Sequence, residues 1–287
     1  MKSLDAIAEI AIQTGWGAAD ILHDYYRKSD LDIDNSKGGP VTAADLAANH
    51  YILEQLQGQL GTTDFGYLSE ETYQEILEKT GSGRIDHDWV WIIDPLDGTK
   101  DFITKTGEYA LHIALVHQGR PHLSVVARPE ADVLYCAVLG SGTVAYSRDG
   151  SSRSPKVSEV DDLSQLKVVV SRTHRDGRFN DLIQKLPTGG QKAVGSVGGK
   201  IAAILEQEAD IYLSLSGKSA PKDWDMAAPE LILTEAGGKF THFDGQPLMY
   251  NQGDPCQWGG RAASNGPAHE ELCKTVTEIL AEIDGAN

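Results

Sequence analysis

Cysteine is scarce in this chain, and the few residues do not pair: Cys136, Cys256 and Cys273 lie far apart and are odd in number. That excludes a disulfide framework and a cysteine metal cluster, so a reducing compartment, the cytoplasm, is the expectation. Positive charge is also short, with 25 Lys+Arg against 42 Asp+Glu and a net charge of −17. A nucleic-acid binder needs a basic stripe to displace counterions from phosphates, and docking on anionic lipid needs similar charge. Neither partner is expected. No apolar run approaches the ~20 residues of a membrane helix, and residues 1–16 carry no charged-then-apolar leader pattern. Internal repeats and low-complexity tracts are missing as well.

What is present is ordinary globular composition, 40% hydrophobic and 23% charged over 287 residues. That length suits one large domain or two medium lobes with a substantial core. Residues 4–26 repeat apolar groups at a helical period, from Leu4, Ile7 and Ile10 to Ile21 and Leu22. Residues 28–40 are polar and glycine-rich and read as a mobile loop. Thr42 caps a helix expected over 43–56, with Asp45 in its first turn. A short strand over 64–68 ends in Ser69-Glu70-Glu71, and Val90-Trp91-Ile92-Ile93 reads as a buried strand stopped by Asp94-Pro95. Strands follow over 109–116, 122–128 and 133–139. The polar stretch 147–162 marks a boundary between lobes 1–152 and 163–287. Beyond it come strands over 167–171, 210–215 and 240–243. Helices are expected over 178–186, 200–207, 225–236 and 270–283.

The chemistry concentrates in Asp94-Pro95-Leu96-Asp97-Gly98-Thr99. Two acids three apart straddle a strand end, Gly98 lets backbone approach a ligand, and Thr99 opens a helix whose free N–H groups attract phosphate. Hard oxygen donors at a strand terminus suit Mg²⁺. Alone, the stretch is equally a solvated turn. Glu70-Glu71, Asp45 and Asp225 after Trp224 are further acids at element ends, and each alone is as well read as a capping group. The histidines show no ligand spacing; His112, inside an alternating strand, reads as a packed residue.

Taken together and in order, Val41-Thr42-Ala43-Ala44-Asp45, Leu68-Ser69-Glu70-Glu71, Trp91-Ile92-Ile93-Asp94-Pro95-Leu96-Asp97-Gly98-Thr99-Lys100 and Trp224-Asp225-Met226-Ala227-Ala228 resemble the inositol monophosphatase superfamily. These are lithium-sensitive, Mg²⁺-dependent phosphatases, and the likeness runs from the first helix to about Asn265. The resemblance implies an α/β (α+β) fold, a layered αβαβα sandwich of the inositol monophosphatase/fructose-1,6-bisphosphatase type, with metals between two lobes. It implies two or three Mg²⁺ ions held by Glu70, Asp94, the Leu96 carbonyl, Asp97 and Asp225. Gly98 and Thr99 match the backbone that holds the scissile phosphate, and Asp45 with Thr99 matches a pair that orients and deprotonates the attacking water.

Within the superfamily the chain looks most like the 3′(2′),5′-bisphosphate nucleotidases, which convert 3′-phosphoadenosine 5′-phosphate to AMP. Lys100 after Gly98-Thr99 carries that likeness, as does Val170-Ser171-Arg172-Thr173-His174, where His174 matches a substrate contact. Lys200 is retained at a second-phosphate position. Val197 and Ser214 stand where relatives have a serine and an arginine, and Gly195-Ser196-Val197-Gly198 instead resembles inositol monophosphatases. Lys218 and Lys222 are candidates for the missing charge. The substrate expected is thus a small phosphorylated molecule, with an inositol or sugar phosphate as the alternative. A cation-sensing scaffold is the non-enzymatic alternative. It loses ground because Asp45, Glu70, Asp94, Asp97, Thr99 and Asp225 are all present.

Overall fold

The computed structural model describes residues 2–28, 33–34, 41–172 and 175–285. Helix α1 (Leu4–Tyr26) is capped by Ser3, whose hydroxyl accepts the Ala6 N–H at 3.3 Å. Its apolar period buries Ile7, Ile10, Ala11, Ala18 and Leu22 along one side. Most of the 28–40 stretch read above as a loop lies outside the described residues. A ribbon of β1 (Ile33–Asp34) and β2 (Val41–Thr42) leads into α2 (Ala43–Leu60). This helix runs past residue 56 because Gly58 fits within it, and Gly61, with φ of 78°, ends it instead.

Seven strands then form a sheet in chain order: β3 (Phe65–Ser69), β4 (Trp89–Asp97), β5 (Ala110–His117), β6 (Arg120–Arg128), β7 (Val133–Val138), β8 (Gly142–Ser147) and β9 (Ser152–Arg153). Only β3 and β4 are parallel, with α3 (Tyr73–Thr80) in the crossover between them, while α4 (Thr99–Ile103) follows β4. Strand β4 is buried on both faces: Val90 and Ile92 join one core, Trp91 and Ile93 the other. That two-sided burial is why its sequence is a continuous apolar run. One expectation is corrected here. Asp94-Pro95 does not stop the strand, because β4 continues to Asp97 through an irregularity in its pairing with β5 between Asp94 and Asp97. Proline is tolerated there because a bulge leaves ladder positions that need no N–H donor.

A five-stranded sheet has the order β11-β10-β12-β14-β13. It comprises β10 (Lys167–Val170), β11 (Gly190–Ala193), β12 (Ile211–Leu215), β13 (Lys239–His242) and β14 (Gly260–Ser264). Helices α5 (Gly177–Lys185), α6 (Val197–Leu205) and α7 (Asp223–Glu235) follow β10, β11 and β12 in turn, and α8 (His269–Gly285) follows the consecutive strands β13 and β14. Helices α1 and α2 cover one face of the larger sheet. Helices α6 and α7 lie between the two sheets, touching β4–β8 on one side and β10, β12 and β13 on the other. Helices α5 and α8 pack outside the smaller sheet. The layers therefore run α, β, α, β, α, and every residue of α6 is buried. Elements α3, β8, β9, β11 and β14 were not anticipated. Strand β11 is Gly-Gln-Lys-Ala at an exposed edge, and β14 is Gly-Arg-Ala-Ala-Ser, so neither shows the apolar alternation that marks a strand.

Candidate active site

Helices α2, α4, α6 and α7 all begin at the C-terminal end of the parallel β3/β4 pair. This brings residues far apart in sequence to one cleft of about 680 Å³. Carboxylate oxygens of Asp94, Asp97 and Asp225 lie within 4.8 Å of one another at its floor. Asp94 and Asp97 arrive on β4, and the Leu96 N–H donates to Asp94 Oδ1 at 2.9 Å, which folds the bulge around that carboxylate. Asp225 sits in the first turn of α7, where its carboxylate accepts the Lys222 backbone N–H as an N-terminal cap.

The turn out of β4 is a glycine requirement: Gly98 has φ of 91°, and a Cβ there would stand 3.2 Å from Ser196 Cβ. It delivers Thr99, whose hydroxyl lies 3.4 Å from Asp45 Oδ1 and 3.3 Å from the Leu96 carbonyl. Asp45 Oδ2 is occupied separately, accepting the Thr42 N–H at 2.8 Å and the Thr42 hydroxyl at 2.6 Å. The capping box of α2 thus fixes one Asp45 oxygen and leaves the other to Thr99.

Asp97 Oδ2 accepts the Val197 and Gly198 N–H groups, the latter at 3.0 Å, so it caps α6 from outside. His112 Nε2 stands 3.2 Å from the same oxygen, while its Nδ1 lies 3.2 Å from the Trp224 carbonyl. The residue read as merely packed therefore spans from Asp97 to the residue before Asp225. Its placement arises from β5 pairing with β4, Asp94 opposite His112, which no local pattern reveals.

Electrostatics separates these acids. Burial, then the charges of Glu70, Asp97 and Asp225, push Asp94 well above the usual carboxylate range. Burial and Asp97 bring Asp225 to about 6. Glu70 opens to the mouth of the cleft, yet the surrounding protein strips enough water, with Asp225, Glu71, Asp45 and Asp97 nearby, to raise it strongly. Burial also raises Asp45, against the Thr42 hydrogen bonds. Asp97 goes the other way: burial opposes its charge, but His112, Lys200 and the Gly198 N–H outweigh it. Mutually repelling hard oxygen donors at the foot of a cleft are a fit to a divalent cation such as Mg²⁺, which relieves the repulsion.

Of the other expected residues, Glu70, Leu96, Gly98, Thr99 and Lys200 all line this cleft. Lys200 is buried, its Nζ 2.7 Å from the Ser196 carbonyl, and burial lowers its pKa. His174 lies outside the described residues. Lys218 is on the cleft wall, whereas Lys222 stands beside it with its Nζ directed to Cys256 Sγ at 2.7 Å.

A profile of the inositol monophosphatase family matches residues 3–281. The chain belongs to the inositol monophosphatase family. It is 32% identical to the 3′(2′),5′-bisphosphate nucleotidase CysQ of Escherichia coli K12 over 251 residues, 86% of this chain and 93% of the relative. It is 33% identical to the 3′-phosphoadenosine 5′-phosphate phosphatase of Mycobacterium bovis over 214 residues, 74% of this chain and 73% of the relative. The solved structure of Thermotoga maritima IMPase is similar in fold, with a TM-score of 0.77 at 24% identity, covering 96% of this chain and 98% of that one. The family is metal-dependent, and the aspartate cluster agrees with that property.

Proposed function

We propose that the chain is a Mg²⁺-dependent phosphatase that hydrolyses the 3′-phosphate of 3′-phosphoadenosine 5′-phosphate to give AMP and phosphate, with the sulfated nucleotide as a further substrate. The observation that carries this reading is the triad of Asp94, Asp97 and Asp225 carboxylates within 4.8 Å, in a cleft walled by cations. Names of the Escherichia coli and Mycobacterium bovis relatives supply the substrate class.

Glu70, Asp94, the Leu96 carbonyl, Asp97 and Asp225 would hold two or three Mg²⁺ ions. When bound, such ions neutralise phosphate oxygens and make water more acidic. The Gly98 and Thr99 backbone at the start of α4 receives the scissile phosphate. Thr99 Oγ1 takes a proton from the attacking water while passing its own to Asp45 Oδ1, and burial makes that carboxylate a better proton acceptor. The water oxygen bonds to phosphorus as the ester P–O bond breaks. The 3′-oxygen leaves with the bonding pair and takes a proton from a solvent water to become the hydroxyl of AMP, and the hydroxide left behind is neutralised by the proton held on Asp45. Lys200 balances charge on the product side of the cleft, and His174 is assigned to the nucleoside.

The lobe division at 1–152 and 163–287 belongs to the same reading: the first lobe gives Asp45, Glu70, Asp94 and Asp97, the second Asp225 and Lys200. Cytoplasmic residence also belongs to it, motivated by three free cysteines. Among the described residues no helix is long and apolar enough to cross a membrane. An inositol or sugar phosphate is the second reading, favoured by the uncharged Ser214 on the cleft wall. Phosphate release from 3′-phosphoadenosine 5′-phosphate, its sulfated form, inositol 1-phosphate and fructose 1,6-bisphosphate, with Mg²⁺ and with added Li⁺, separates them. A preference for inositol 1-phosphate overturns the nucleotide assignment.

A further inference from the structure

Arg261 is 0% exposed, one of the largest side chains sealed inside the molecule. Its Nη2 donates to Ser214 Oγ at 3.2 Å, while among the described residues Nε and Nη1 have no hydrogen-bond partner. Among the described residues Arg261 forms no ion pair. Asp225 bears on it only through the longer-range field, together with the phenols of Tyr212 and Tyr250. A buried guanidinium without a counter-ion is strongly unfavourable, so a site that retains one is a site prepared for negative charge.

The backbone shows where that charge would enter. Arg261 on β14 is directly opposite Ser214 on β12, so both side chains lie on the same face of the smaller sheet, toward the middle layer. Ser214 and Tyr212, two residues apart on that face, form part of the cleft wall, and the ring of Tyr212 lies 5.6 Å from Lys200 Nζ. Because Arg261 fills an acceptor site of Ser214 Oγ with a charged donor, the serine's own O–H must point elsewhere. A hydrogen-bonded anion on the cleft side, or Tyr212, receives it, and the cation behind strengthens the donation.

We infer that Arg261 is a positioning residue for the substrate's second, non-reacting phosphate, acting through Ser214 and Tyr212 on the cleft wall. The inference rests on the nucleotide reading above. It identifies the adjacent strand, rather than β12 itself or Lys222, as the source of the charge that selects a bisphosphate over a monophosphate.

The test compares 3′-phosphoadenosine 5′-phosphate with adenosine 3′-phosphate in the wild type, Arg261→Met and Arg261→Lys. Circular dichroism and melting confirm that each variant is folded. In Arg261→Met the KM for the bisphosphate should rise about tenfold more than that for the monophosphate, with little change in kcat, because an interaction made equally in ground and transition states is removed. Arg261→Lys should recover part of the discrimination. Titration calorimetry should also show AMP, which keeps the second phosphate, binding Arg261→Met about tenfold more weakly than the wild type does. Equal losses for both esters, a fall confined to kcat, or unchanged AMP binding in a folded variant overturns the assignment. A wild type that does not turn over the bisphosphate overturns the nucleotide reading itself, and this assignment falls with it.

Discussion

Asp45, Asp94, Asp97 and Asp225 carry the same side chain in one cleft and differ in what surrounds it. Asp97 accepts two backbone N–H groups and faces His112, which holds it ionised, whereas Asp94 has one N–H donor and three acidic neighbours that push it upward. The most committed anion should be the most sensitive to neutralisation. Asp97→Asn is expected to cut phosphate release by at least ~10²-fold, since several kcal/mol of charge stabilisation go with a lost metal ligand, while the circular-dichroism spectrum stays that of the parent. Near-full turnover in that variant would remove Asp97 from the metal site. Asp45 plays a different part. Asp45→Asn should lower kcat by about 10²-fold, the scale of a lost proton acceptor, and leave the Mg²⁺ concentration for half-maximal melting shift close to that of the parent. A large change in that concentration would mean Asp45 holds the ion instead.

At the level of elements, the site exists because helix starts meet strand ends. Each helix N-terminus has unpaired N–H groups, and here three of them are capped by carboxylates that also face the cleft: Asp45 for α2, Asp97 from another element for α6, and Asp225 for α7. Thr42→Ala removes the α2 cap and half the grip on Asp45, which should cost about 1 kcal/mol of stability in urea unfolding. The approach of α6 to the larger sheet depends on Gly198. A Cβ there would stand 2.6 Å from His112 Nε2 and 2.9 Å from Ala110 Cβ and Val126 Cγ1. Gly198→Ala should therefore destabilise the fold by about 1–3 kcal/mol, the range for overpacking a tight contact, and should disturb Asp97 through His112 and the α6 N-terminus. An unfolding midpoint equal to that of the parent would show that the helix shifts without strain.

For the whole molecule, a net charge of −17 is mostly surface acidity, and the buried acids are the part that couples to stability. Asp225 is raised from 3.8 to about 6, and burial with the neighbouring carboxylates raises Glu70 and Asp94 well above their ordinary values too, so in the metal-free fold these groups hold their protons to higher pH than free carboxyls do. A raised carboxyl contributes stability that is complete below its unfolded pKa and is lost as pH rises through its folded pKa. Metal-free protein therefore loses this contribution as pH climbs through about 6, and Mg²⁺, which binds the folded state and displaces those protons, restores stability. The gap in melting temperature between Mg²⁺ and chelator should widen from about pH 5.5 to about pH 7.5. His269, held neutral at about 4 by burial, affects both conditions alike and cancels from the gap. A gap independent of pH would contradict the raised carboxyls, and no gap at any pH would contradict the metal site.

Residue order by itself determined the helices at 4–26 and 225–236, the two-faced burial of β4 and the acids at element ends, because periodicity, capping and local charge are short-range properties written in adjacent residues. It also carried the family resemblance, through four motifs in order. The resemblance implied that Asp225 shares a site with Asp94 and Asp97, but only the tertiary structure decided their spacing within 4.8 Å, that His112 leaves the core's anonymity to face Asp97, and that Lys222 turns to Cys256 while Arg261 stands behind Ser214. Those relations depend on strand register and on α6 and α7 being pressed between two sheets, and register is set by pairing across more than 40 residues between Ser214 and Arg261. A long-range pairing has no local signature, so the residues it brings together are named only once the sheets are assembled.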